Sequence, residues 1–224
     1  MVLNCIFIPW RTFATTHRAA FMLQLPMIGR AGDMSNFCFA YQDIEWPKDP
    51  TQIDGAGIPS YIFIILRRWK GNEKGLLPPQ RLRISRNWGN AECCPIVALM
   101  TWLAVSGIRS GPIFPALTHG GGFVIHNVYN KADTYSGWMT KLFVYVGGGL
   151  AKCRGHSMRK SAVKWGVRCG ESPHILVKAG RWVEGSKSFF DYLEEGTMMR
   201  EEYLNSPDPI FKFWPWQRTT GSFS

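Results

Sequence analysis

The sequence predicts an α+β fold, mostly helical around one small antiparallel sheet, and three observations lead there. Apolar residues recur at helical spacing over much of the chain. One pair of β-favouring runs brackets a turn. Hydrophobic residues make up 46% of the 224 positions and aromatics 14%, ample for a packed core and too many for a disordered chain.

Taken in order, residues 15–28 have the pattern of a helix that Pro26 must kink or end. Gly29-Arg30-Ala31-Gly32 makes a break, after which Asp33 and Ser35 open a second apolar helix reaching Tyr41. A short strand is expected at 43–46. Residues 61–69 and 80–86 read as a strand and a returning strand, joined by a long turn through Lys70-Gly71-Asn72. The returning strand buries Leu82 and Ile84 and turns its arginines to the other face. Helices are expected at 93–105, with Pro95 in the first turn, at 136–146 and at 156–169. Loops fall at Gly120–Gly122 and Gly147–Gly149, and two short helices follow near 172–179 and 186–194. Residues 1–206 form one domain, and 207–224 form a tail rich in Pro and aromatics (Phe211, Phe213, Trp214, Trp216).

The formal net charge is +10, which points to a polyanionic partner. Its distribution says more than its size. From Lys152 to Lys187 there are nine Lys and Arg against Glu171 and Glu184, and from Arg67 to Arg86 there are seven against Glu73. Two basic patches flank a more neutral middle. The six cysteines show no C-x-x-C pair and no regular spacing, so reduced thiols are expected, not a zinc site or a disulfide framework. No signal peptide and no membrane-spanning run is expected, and an intracellular protein of the DNA-containing compartment, the nucleus in a eukaryote, fits best.

His156 and Arg159 stand three apart at the start of a helix, which puts them on one face, apart from a stripe of Met158, Ala162, Trp165 and Cys169. A bare H-x-x-R pair is equally consistent with a solvated helix face. This one has company. Ala179-Gly180-Arg181-Trp182 follows, with Trp182 26 residues after His156, and Tyr192 lies 10 residues further on, within Ser188-Phe189-Phe190-Asp191-Tyr192. Upstream stand Arg30, in Gly29-Arg30-Ala31-Gly32-Asp33, and Lys70, in Trp69-Lys70-Gly71-Asn72. Arg, Lys, His-x-x-Arg, Trp and Tyr in this chain order resemble the active-site set of the tyrosine recombinase (phage integrase) family. The similarity is greatest to its Cre-type and Crypton-type branch, which has Trp in the fifth position. It spans about residues 15–200, strongest from Gly155 to Tyr192 and weakest from Ser110 to Tyr135.

The resemblance implies a recombinase catalytic core and site-specific DNA recombination or integration. The covalent intermediate would be a 3′-phosphotyrosyl link with a free 5′-hydroxyl. The residue types suit that chemistry. Arg30 and Arg159 offer fixed cationic forks for non-bridging phosphate oxygens. Tyr192 would be the nucleophile, His156 would take or share its proton, and Lys70 would protonate the leaving oxygen. Trp182 donates an indole N–H and excludes water. Neither a cofactor nor a metal is expected. Arg67, Arg68, Lys74, Arg83, Lys160, Lys164 and Arg181 are the expected DNA contacts, with double-stranded DNA as partner and self-association on it.

Each residue also has a plainer role open to it. Arg30 would pair with Asp33, Lys74 would replace Lys70, Trp182 would be ordinary core, and Tyr203 is a rival nucleophile. Family members usually carry a helical domain ahead of the catalytic one, and the early position of Arg30 leaves no room for it in this chain. Alternative functions are a catalytically silent DNA-binding relative domesticated from a mobile element, type IB topoisomerase-like relaxation, and an RNA-binding basic domain.

Overall fold

The computed structural model describes residues 3–35, 39–118, 124–145, 155–183 and 185–198. The loop at Gly120–Gly122, the Gly147–Gly149 run, Tyr203 and the aromatic tail lie outside the described residues. Mixed helix and sheet appear as expected, with six α-helices and small antiparallel sheets among the described residues.

Helix α1 (Leu3–Gln24) runs further toward the N-terminus than its apolar spacing suggested, and it stops two residues before Pro26. The expected second helix through Tyr41 does not form at its C-terminal end. Phe39 and Ala40 are extended there, Ala40 bridges Pro112, and Tyr41 donates its N–H to the Gly111 carbonyl at 2.8 Å. A tertiary strand-like pairing has overridden local helical preference. A single 3-10 turn, Tyr41–Asp43, leads into β1 (Ile44–Glu45).

Strands β2 (Tyr61–Leu66) and β3 (Gln80–Ser85) pair antiparallel across the expected long turn, with β1 on the other edge of β2. Ile62, Ile64, Leu66, Leu82 and Ile84 are buried, and the arginines of β3 face outward. Asn72 pins the turn, donating to the Arg67 carbonyl at 3.2 Å and accepting from the Leu77 N–H at 2.9 Å.

Helix α2 (Pro95–Ser106) packs on α1 and fills the core with Ile96, Leu99 and Trp102. A second small sheet, β4 (Pro115–Leu117) with β5 (Val124–Tyr129), was not expected. Three residues beginning with proline are too short to show a strand period. Helices α3 (Ala132–Tyr145), α4 (Gly155–Arg168), α5 (Pro173–Gly180) and α6 (Lys187–Met198) lie close to their expected positions. α4 and α6 pack through a second core of Ala162, Val163, Val167, Leu176 and Phe189, onto which Ile28 closes. Among the described residues no helix is long and apolar enough to cross a membrane.

One buried group makes this fold sensitive to acid. His17 on α1 is 2% exposed and lies between Phe13, at 3.9 Å, and Trp138 of α3, at 4.7 Å. Nδ1 sits 2.5 Å from the Phe13 carbonyl, while Nε2 is buried without a partner. Burial holds its pKa below 6.5, with the Phe13 hydrogen bond opposing. The unfolded chain therefore takes up the proton more readily. This contribution to stability is full above about pH 6.5 and is lost as pH falls toward the lowered value, with a slope of up to about 1.4 kcal/mol per pH unit. Urea unfolding between pH 8 and 5.5 should show the decline, and His17→Asn should flatten it. An unchanged slope in that variant would exclude His17 as its source.

Candidate active site

Arg159 forms the centre of the site, and its placement differs from expectation. Expected apart from the apolar stripe of α4, it is instead fully buried together with Met158, Ala162 and Val163. Nη1 donates to the Ile28 carbonyl at 2.9 Å, and Nη2 donates to the Gly180 carbonyl. These acceptors stand where α1 and α5 end, where unpaired carbonyls and the negative end of a helix favour a cation. Ile28 has φ 46°, a left-handed conformation that costs a β-branched residue energy and that the surroundings must enforce.

Above the guanidinium lies Trp182, with the Arg159 carbon 3.5 Å from its ring centroid. Gly180 is required for this arrangement, because a Cβ there would collide with the indole. Arg181 adopts φ 57° as the left-handed cap of α5, and that turn sends the next residue back over the helix end. The Trp182 Nε1 is 3.3 Å from the Ser188 hydroxyl of α6, so its N–H is directed at a side chain rather than left open. Tyr192, half-buried on α6, meets Trp182 edge-to-face at 6.3 Å, and the Lys160 ammonium lies 5.7 Å from its ring centroid. Phe189 is buried beneath, and Phe190 is 53% exposed.

The Arg30–Asp33 pairing weighed from the sequence takes a different form. The Arg30 backbone N–H donates to Asp33 Oδ2 at 2.8 Å, while the Asp33 carboxylate makes its ion pair with Arg181, at 2.5 Å, both side chains being almost wholly buried. Arg181 is thus turned inward, unlike the open DNA contact expected of it. The side-chain Nη1 of Arg30 and the Nε of Arg181 are buried without a hydrogen-bond partner. Three guanidinium groups therefore crowd around one carboxylate. Burial first, then the Arg30 and Arg181 charges, pull the Arg159 guanidinium down to about 8, against the opposite pull of Asp33 and Tyr192. Burial likewise lowers Arg181, opposed chiefly by Asp33. Such a cluster has a deficit of negative charge that a phosphate would supply.

Gln80, the first residue of β3, joins the two basic patches. Its Nε2 donates to the Lys178 carbonyl at 2.9 Å, and Arg181 Nη1 lies 3.5 Å from its Oε1. Leu66 pairs with Gln80, so the turn carrying Lys70 leaves the sheet at the end that abuts the arginine cluster. Lys70, Arg68 and Lys74 are exposed in that turn, and Arg67, 60% exposed, is paired with Asp43 at 2.7 Å. Arg83 is exposed on the outer sheet face, and Lys160 and Lys164 are half-buried on α4. His156 is in the first turn of α4, and its side chain lies outside the described residues. The structure therefore gathers Arg30, Arg159, Trp182 and Tyr192, and Lys70 is exposed on the turn between β2 and β3. Asp33 and Gln80 were missed as members of the site. The signal for Asp33 was its place three residues after Arg30, whereas nothing in the local sequence marked Gln80.

The ion pair predicts a strong coupling. Arg181→Ala takes from the buried Asp33 carboxylate its ion-pair partner, leaving it the Arg30 N–H, and should cost about 3–5 kcal/mol in urea unfolding. Adding Asp33→Asn should recover part of the loss, and a double variant no more stable than the single one would show that the pair is not coupled. No family model matches the sequence, and no curated protein matches it.

Proposed function

We propose that this chain cuts and rejoins DNA strands through a covalent link to Tyr192, as its resemblance to the tyrosine recombinases implies. The observation that carries the reading is the convergence of Arg159, Arg30 and Arg181 beside Trp182 and Tyr192, a cationic site deficient in negative charge next to a phenol. Phosphoryl transfer to tyrosine needs such a setting. Arg30 and Arg159 neutralise the charge that builds on the non-bridging oxygens, where oriented donors act most strongly in the transition state. Tyr192 attacks phosphorus, and the bond to the 5′ oxygen breaks. Lys70, on its exposed turn, delivers the proton to that oxygen, and His156 takes the tyrosine proton. Rejoining reverses these steps. Arg67, Arg68, Lys74, Lys160 and Lys164 supply salt-sensitive phosphate contacts that hold the duplex.

A second reading has its own observation. Arg159 spends both terminal nitrogens on backbone carbonyls beneath an indole, as a purely structural arginine would, and this favours a silent DNA-binding relative. Incubating the full chain with nicked duplex DNA and denaturing the mixture separates the two. Strand cutting predicts a protein–DNA adduct that survives denaturation. Salt-sensitive binding without any adduct would favour the silent relative.

A further inference from the structure

We infer that the outer face of the β1–β2–β3 sheet is a second nucleic-acid surface, one that takes an unpaired strand. This inference does not depend on Tyr192. The inner face of the sheet is buried against the main core, so the outward residues have no packing role there. On the outer face Arg81 lies 3.4 Å over the ring of Phe63, Arg83 lies 4.5 Å over Tyr61, and the two rings meet edge-to-face at 5.4 Å.

Two arginines stacked on two aromatic rings form a pair of flat cations on this face. A guanidinium lying on a ring keeps its other face free for a nucleobase. Outward positions on one strand recur about every 7 Å, so Arg81 and Arg83 can serve neighbouring nucleotides. Arg81 is paired with Glu45, whereas among the described residues Arg83 has no carboxylate partner. Arg83 thus supplies the charge on this face that complements a phosphate backbone. Flat stacking surfaces call for exposed base faces, which a duplex hides and a single strand presents.

The test is fluorescence anisotropy of the full chain with labelled oligothymidine and, separately, with labelled duplex. Replacing both Arg81 and Arg83 by Lys keeps the charge and removes the stacking plane. Oligothymidine should then bind at least about tenfold more weakly, with duplex affinity within about twofold. Absence of oligothymidine binding, wild-type affinity in the lysine variant, or an equal loss on duplex would each overturn the inference. Tyr192→Phe should leave oligothymidine binding unchanged, so a failed adduct assay and a failed sheet face remain distinguishable.

Discussion

Replacing Tyr192 by phenylalanine should reduce covalent adduct formation by at least about 10⁴-fold while leaving duplex affinity within about twofold. The change removes one oxygen and keeps the ring. That ring is part of the α4–α6 core and packs edge-to-face on Trp182, so the variant retains its packing. Tyr203→Phe should still form the adduct, because Tyr203 follows Glu201 and Glu202, whose charge repels a phosphate. Denaturing gels with labelled nicked duplex read both variants. An adduct that persists in Tyr192→Phe would move the nucleophile elsewhere.

The second large effect concerns Arg159, whose removal should damage both fold and chemistry. Arg159→Ala orphans the Ile28 and Gly180 carbonyls and opens a void beneath Trp182. Relief of repulsion from Arg30 and Arg181 offsets some of that cost, leaving a net loss of about 2–4 kcal/mol. The alanine variant alone would confuse unfolding with lost catalysis. Arg159→Lys keeps the charge but offers no planar fork, so it should fold with a smaller loss and form adduct at least about 100-fold more slowly. A folded lysine variant with the wild-type rate would make Arg159 a structural arginine only.

Local signals read well wherever one element sufficed. Proline and glycine marked the end of α1 and the start of α2, and the β2–β3 pair followed from alternating Leu82 and Ile84 with arginines. Order and spacing picked out Arg30, Arg159, Trp182 and Tyr192, which the fold then brings together. What escaped was set by tertiary pairing. Ala40 bridges Pro112, which is 72 residues away, and this prevents the helix that local pattern favoured. Arg181 finds Asp33 only because its left-handed turn at the end of α5 directs it inward. Burial of Arg159 was equally hidden, since a charged residue normally reads as solvated and here needs two helix ends and an indole to receive it.

The central claim is that Tyr192 becomes bonded to DNA. Its most direct test is to trap the wild-type chain on nicked duplex, digest the adduct with protease and locate the modified residue by mass spectrometry. The DNA-linked peptide should be the one containing Tyr192, with the DNA attached through its 3′ phosphate. A modification on Tyr203, or no linked peptide from a chain that binds the duplex, would contradict the account.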